Sequence, residues 1–122
     1  MLKREALCID DDPDTCRVAV DVLQEMGYHV HVAHTRDQAM RFAADARPEL
    51  VFLSMEIDDD SPIQLFEAIQ QFHPNVLGIL LTSTPSGPAI LSANRSGIHQ
   101  ILIKPIDETD LVMMFDESCI AA

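Results

Sequence analysis

Short apolar runs alternate along the chain with segments in which apolar residues recur every three or four positions. The runs are typical of strands buried on both faces of a parallel sheet, and the longer spacing is typical of amphipathic helices. We predict strands at residues 6–9, 28–33, 50–54, 76–81 and 98–103, with a helix after each. This alternation indicates a single α/β domain, residues 1–122, with right-handed crossovers and helices on both faces of the sheet.

The predicted helices have recognisable ends. Asp12 can cap the first helix with Pro13 at its first position, and Gly27 supplies the left-handed residue that ends it. The next two helices begin with the spacing of a capping box, at residues 35–38 and 61–64.

The apolar positions of the helices predict which sides face the sheet. In the third and last helices the inward positions are Leu65, Ile69, Phe72, Leu111, Met114 and Phe115. Gly87 and Pro88 near its start predict that the fourth helix is short or loosely held.

The composition narrows the class of protein. The chain has 122 residues, of which 48% are hydrophobic, and a formal net charge of −12. Such a surface repels phosphate backbones and anionic lipid, so a cationic protein surface or a divalent metal is the expected partner. Cys8, Cys16 and Cys119 are odd in number and lack metal-ligand spacing. Reduced thiols, no membrane-length apolar run and no signal-peptide features predict a cytoplasmic location.

Polar residues follow four of the five predicted strands. Asp10 and Asp11 follow the first, Ser54 ends the third, Thr82 follows the fourth and Lys104 follows the fifth. Because the carboxyl ends of parallel strands meet at one edge of a sheet, these side chains are expected to lie close together. Adjacent carboxylates and a lysine favour a site for Mg²⁺ and a phosphoryl group, since the metal takes oxygen ligands and an ammonium attracts phosphate oxygens.

Four short segments together resemble the receiver domain of bacterial response regulators. They are residues 9–14 (IDDDPD), 48–53 (PELVFL), 81–82 (LT) and 103–105 (IKP), in the family's order and over nearly the whole chain. The resemblance implies a flavodoxin-like fold with strand order 2-1-3-4-5 and a role in phosphorelay signalling. It also implies a cis peptide bond between Lys104 and Pro105.

The resemblance assigns a role to each residue of the predicted pocket. In receiver domains two acidic residues after the first strand bind Mg²⁺, and these match Asp10 and Asp11. An aspartate after the third strand accepts a phosphoryl group from a histidine kinase, and that position is Ser54. Thr82 and Lys104 match the residues that contact the phosphoryl group.

The phosphoacceptor position is the main departure from the family pattern. A carboxylate attacks a phosphoryl group at neutral pH, whereas the Ser54 hydroxyl would need a general base, for which Asp10 and Asp11 are candidates. Mg²⁺ also loses one carboxylate ligand, so its binding is expected to be weak or absent. Ile101 stands where the family usually has an aromatic switch residue, and the loop after Ser54 has lost its usual Pro and Gly pattern.

Three further groups of residues carry alternatives. Glu56 could replace the missing metal ligand or point into solvent. The loop from Asp58 to Asp60 could be a substitute phosphoacceptor or a solvated acidic segment. His29 and His31 share one face of a strand and could bind a transition metal, but no third ligand is evident. Packing or exposure near the sheet edge is therefore the favoured interpretation.

These features predict an atypical receiver domain that is not an enzyme and acts as a phosphorylation-independent protein-interaction module. The expected partner is a histidine kinase, an effector domain or another signalling protein, and a homodimer is also open. Direct binding to nucleic acid or to a membrane is not expected. One alternative is a phosphotransfer domain still phosphorylated at Ser54 or in the acidic loop. Another is a small metal-dependent phosphatase, whose nucleophile would have to come from the aspartates after the first strand.

Overall fold

Five strands alternate with five helices in the computed structural model, which describes residues 4–57 and 61–118. The elements are β1 (Arg4–Ile9), α1 (Pro13–Glu25), β2 (Tyr28–Ala33), α2 (Arg36–Ala46), β3 (Leu50–Ser54), α3 (Pro62–Phe72), β4 (Leu77–Thr82), α4 (Gly87–Arg95), β5 (Ile98–Ile103) and α5 (Glu108–Ser118). All strands are parallel and form one sheet in the order β2-β1-β3-β4-β5, which confirms the predicted architecture. No helix in the described ranges is long and apolar enough to cross a membrane.

Each face of the sheet buries its own apolar core because successive strand residues point to opposite sides. On β3, Val51 and Leu53 join the core under α2 and α3, whereas Leu50 and Phe52 join the core under α1 and α5. All four side chains are buried, as expected for a central strand that is covered on both faces. The sheet therefore holds the carboxyl ends of β1, β3 and β4 in fixed positions.

Local side-chain contacts define the helix starts. Thr35 caps α2 by accepting a hydrogen bond from the Gln38 N–H, at 3.2 Å. In a capping box the Gln38 side chain would accept a hydrogen bond from the Thr35 N–H. Here it accepts from the N–H of the preceding residue, His34, at 2.8 Å. Before α5, Asp107 and Asp110 accept from each other's N–H groups at 2.8 and 3.1 Å.

The prediction that Phe72 faces the core is wrong, since this side chain is 49% exposed. The buried stripe of α3 also includes Ile63 and Phe66, which shift its centre away from the line through Leu65 and Ile69, so Phe72 lies at the edge of the stripe in the last turn. The fourth helix is short, as predicted, with nine residues.

One smaller prediction is confirmed by the described residues. The Lys104–Pro105 peptide bond is cis. Cys8 and Cys16 are buried and free of disulfides. The third thiol, Cys119, and the acidic loop from Asp58 to Asp60 lie outside the described residues.

Candidate functional site at the carboxyl ends of the strands

The pocket lies where β1, β3, β4 and β5 end, and it contains four of the five side chains predicted there. Asp10 follows β1, Ser54 and Thr82 end β3 and β4, and Lys104 follows β5. These strands are hydrogen-bonded neighbours, so residues far apart in sequence meet within one side-chain length. Asp11 lies beside them in the loop after β1, with its side chain exposed.

The strongest charge pair of the pocket joins Asp10 and Lys104. Asp10 is fully buried, and its Oδ2 lies 2.8 Å from the Lys104 Nζ. Its Oδ1 accepts a hydrogen bond from the Asp12 N–H at 3.0 Å. Burial alone would lower the pKa of the Lys104 ammonium, but Asp10 and then Glu56 outweigh that effect, so the pKa lies above the ordinary lysine value. Lys104 is therefore a fixed cation at neutral pH.

Ser54 is fully buried beneath this pair. Its Oγ accepts one hydrogen bond from the Lys104 ammonium, at 2.9 Å, and one from the Glu56 N–H, at 3.1 Å. A hydroxyl oxygen has two lone pairs, and both face donors here. The arrangement holds Ser54 as a hydrogen-bond acceptor.

The Glu56 carboxylate accepts hydrogen bonds from two other donors of the pocket. Its Oε2 accepts from the Thr82 hydroxyl at 3.0 Å, and its Oε1 accepts from the Ser83 N–H at 2.9 Å and lies 3.6 Å from the Lys104 Nζ. Partial burial raises the pKa of Glu56, but the hydrogen bonds from Ser83 and Thr82 and the charge of Lys104 outweigh it, and the net shift is downward. Glu56 is thus ionised, and it is held by the Thr82 hydroxyl, the Ser83 N–H and the Lys104 ammonium.

Neither sequence-based alternative included these contacts of Glu56 with Thr82 and Ser83. The side chain is nevertheless 37% exposed, and a role as a metal ligand stays a prediction. The sequence contains no signal for these contacts, because strand and helix periodicity does not fix the direction of a loop side chain. A second unforeseen contact involves Asp12, which caps α1 and also accepts from the Thr15 hydroxyl at 2.6 Å. That hydrogen bond is the main cause of the lowered pKa of Asp12.

One atom of the pocket has the character of a cation ligand. Asp10 Oδ2 is buried and has no partner with hydrogen-bond geometry in the described part of the chain, so its contact with Lys104 is electrostatic. A hard divalent cation is the kind of ligand that such an oxygen accepts. Asp10 and the adjacent Asp11 therefore fit a metal ion in chemistry, whereas the carboxylate of Glu56 faces Thr82 and Ser83.

The strand order and the acidic pocket define a flavodoxin-like α/β domain. A family model described as the response regulator receiver domain matches residues 6–116, and the chain belongs to this family of two-component signalling domains.

Among curated proteins, the chain is similar to the transcriptional regulatory protein GlrR of Escherichia coli K12. The two are 30% identical over 112 residues, which cover 92% of this chain and 25% of GlrR. It is also similar to the nitrogen assimilation regulatory protein NtrX of Azorhizobium caulinodans, with 24% identity over 96% of this chain and 26% of that protein. The chain thus spans about a quarter of the length of these relatives.

Solved structures show the same fold. A CheY-like receiver domain protein from Methanospirillum hungatei superposes with a TM-score of 0.85 at 21% identity, covering 95% of this chain and 93% of that one. A two-component response regulator from Clostridium difficile gives a TM-score of 0.85 at 24% identity and covers 96% of both chains.

Proposed function

We propose that this receiver domain is a pseudo-receiver, a protein-interaction module whose pocket is completed by its own Glu56 instead of by a phosphoryl group. The observation that carries the proposal is the set of contacts that the Glu56 carboxylate makes with Thr82, Ser83 and Lys104. By the family resemblance, Thr82 and Lys104 are the groups that would contact a phosphoryl group. An internal anion therefore holds contacts that an incoming phosphoryl group would need.

The surroundings of Ser54 support the absence of phosphorylation at this position. A serine becomes a nucleophile when a base accepts its proton and leaves an oxygen lone pair free to attack. The two hydrogen bonds described for the Ser54 Oγ come instead from donors, Lys104 and the Glu56 N–H. Attack would require at least one of these bonds to break in a fully buried position.

The same geometry supports weak Mg²⁺ binding. Asp10 and Asp11 would hold the ion, and Mg²⁺ demands nearly ideal octahedral coordination and gives up its waters reluctantly. The Asp10 Oδ2 would have to exchange its contact with the Lys104 ammonium for the metal. When bound, the ion would neutralise negative charge in the pocket. Ser54 supplies neither the negative charge nor the carboxylate ligand that an aspartate would, and this lowers the affinity.

Exposed apolar side chains support a role in protein binding. Six large hydrophobic side chains are exposed among the described residues, and five of them lie on α4, β5 and α5. These five are Ile90, Leu91, Ile103, Val112 and Met113. Exposed apolar side chains of this kind can contribute to a protein–protein contact. We propose an effector domain or another signalling protein with a cationic surface as partner, because the net charge is −12.

Buried free thiols at Cys8 and Cys16 favour a reducing, cytoplasmic location.

The test restores the carboxylate and then removes the internal anion. Wild type, Ser54→Asp and Ser54→Asp/Glu56→Ala are treated with acetyl phosphate and Mg²⁺, and intact mass is measured. We expect no adduct on wild type, a partial acid-labile and hydroxylamine-sensitive adduct on Ser54→Asp, and a larger one on the double variant. Ser54→Asn is the matched control, because it has a similar shape and no nucleophilic oxygen of that kind. Mg²⁺ affinity should rise in Ser54→Asp and stay low in Ser54→Asn.

Other outcomes separate the competing functions. A phosphoryl adduct on wild-type Ser54 or in the acidic loop would establish a phosphotransfer domain and overturn the proposal. Release of inorganic phosphate from wild type without an adduct would indicate the metal-dependent phosphatase. Equal adduct yields in the single and double variants would refute the part assigned to Glu56.

A further inference from the structure

We propose that Glu5, His29 and His31 form a binding site for a divalent transition metal, of the class of Zn²⁺, Ni²⁺ or Cu²⁺. One ligand atom from each residue lies within 4.8 Å of the other two. Imidazole nitrogen and carboxylate oxygen are ligands that suit these metals. The site is separate from the pocket, since it lies near the amino ends of β1 and β2.

The backbone of two strands brings the three residues together. His29 and His31 are two positions apart on β2, so they point to the same face. In the parallel pairing of β1 with β2, Glu5 lies opposite His29, and Leu7 lies opposite His31. The carboxylate of Glu5 therefore extends between two imidazoles whose spacing is fixed by a hydrogen-bonded sheet.

The Glu5 carboxylate already lies from each histidine at nearly the separation that a metal ion requires. The Glu5 Oε2 lies 3.1 Å from the His29 Nδ1 and 3.0 Å from the His31 Nε2. Bonds of about 2.0–2.2 Å in a tetrahedral centre place ligand atoms about 3.3–3.6 Å apart. The two Glu5–histidine pairs thus need displacements of a few tenths of an ångström. The two histidine nitrogens lie within 4.8 Å of each other, and side-chain rotation can bring them to the same spacing.

The surroundings expose the site to water and support one of its ligands. The His31 ring lies against the Phe42 ring, with centroids 5.0 Å apart, and its side chain is 20% exposed. His29 is more open, at 55%, and Glu5 is intermediate, at 28%. Because β2 is an edge strand, one side of the site faces water, which can fill a fourth coordination position. The net charge of −12 also concentrates cations near the surface.

The experiment is a calorimetric titration of untagged protein with ZnCl₂ and, separately, NiCl₂, followed by Co²⁺ titration with visible absorption to report coordination geometry. We expect one equivalent of metal per chain. Glu5→Gln and His31→Gln should each weaken binding at least tenfold, because each removes one of three ligands. His99→Gln is the matched control, since His99 is an exposed histidine on β5, the opposite edge strand. Its affinity should stay within twofold of wild type.

Glu67→Gln, at an exposed glutamate of α3, is the control for the loss of one negative charge, and it should also bind within twofold of wild type. Circular dichroism of each variant in EDTA checks that the fold is kept. Wild type without saturable Zn²⁺ or Ni²⁺ binding would overturn the proposal. So would a one-equivalent site that survives His31→Gln, or one that is lost equally in His99→Gln or Glu67→Gln.

Discussion

Two groups of ionisable side chains lie at opposite ends of β1. After its carboxyl end, buried Asp10 pairs with Lys104, which also contacts Ser54 and Glu56. Near its amino end, Glu5 contacts two histidines on an edge strand that is open to water. Both groups combine carboxylates with basic nitrogens at distances of about 3 Å.

The difference lies in what already neutralises each group. In the pocket, a fixed ammonium faces the Asp10 carboxylate, and the Thr82 hydroxyl and Ser83 N–H donate to Glu56, so an added ligand must displace an existing contact. In the Glu5 cluster the nitrogens belong to imidazoles, which can give up a proton and bind a metal instead. The distances in the two groups are similar, but we expect the pocket to be closed by its own residues and the surface site to be open to an ion.

The largest expected effect is the loss of stability in Lys104→Met. This change leaves the Asp10 carboxylate buried without its partner, and breaking a buried ion pair in this way costs about 3 kcal/mol. Urea unfolding measures the loss. The control is Arg17→Met, which removes an exposed ion pair with Asp14 and should not shift the midpoint measurably. Equal shifts in both variants would mean that the pocket pair behaves as a surface pair.

Glu56→Gln is expected to lower the free energy of unfolding at pH 7 by about 1 kcal/mol. Hydrogen bonds to an ionised group are stronger than neutral ones, but solvent screens this side chain, which is 37% exposed. The folded pKa of Glu56 lies below its ordinary value, so its stabilising contribution is present above about pH 4.3 and is lost as the pH falls through the lower folded pKa. The difference between wild type and variant should therefore shrink in acid.

Urea unfolding between pH 3 and pH 7 tests this dependence on Glu56. Glu67→Gln, at an exposed glutamate of α3, is the control for loss of one negative charge. A wild-type advantage over Glu56→Gln that is constant down to pH 3 would contradict an ionised Glu56 held by the pocket.

The smallest effect is expected for Glu5→Gln in EDTA. Its contacts with His29 and His31 lie at a partly exposed edge, where ion pairs contribute about 0–1 kcal/mol. Thermal unfolding should give nearly equal midpoints for variant and wild type, and added Zn²⁺ should raise only the wild-type midpoint because a ligand stabilises the state that binds it. Equal Zn²⁺ shifts in both proteins would contradict metal binding through Glu5.

The sheet and most helix ends could be predicted from sequence because they depend on local patterns. The strand predicted at residues 98–103 coincides with β5, and Gly27 has a φ of 93° at the end of α1. The start of β1 could not be predicted in the same way. The charged residues Arg4 and Glu5 break the apolar pattern, but pairing with Tyr28 and His29 extends the strand to include them.

That extension explains why the third ligand of the histidine cluster was missed. Glu5 meets His31 across 26 positions of sequence, and only the register between β1 and β2 reveals the contact. The pocket residues Ser54, Thr82 and Lys104 were easier to place, because each follows a recognisable strand. The direction of Glu56 depends on loop conformation, which apolar periodicity does not encode.

Glu56 is a residue of the chain itself, and this has a consequence for how long its effect on the pocket lasts. A phosphoryl group is added by one enzyme and lost by hydrolysis, so the signal that it carries has a lifetime. The carboxylate of Glu56 is joined to the backbone by bonds that no phosphatase cleaves, so the group that contacts Thr82 and Ser83 stays with the chain. Under the proposed function, the strength of the signal would follow the amount of protein, set by its synthesis and degradation.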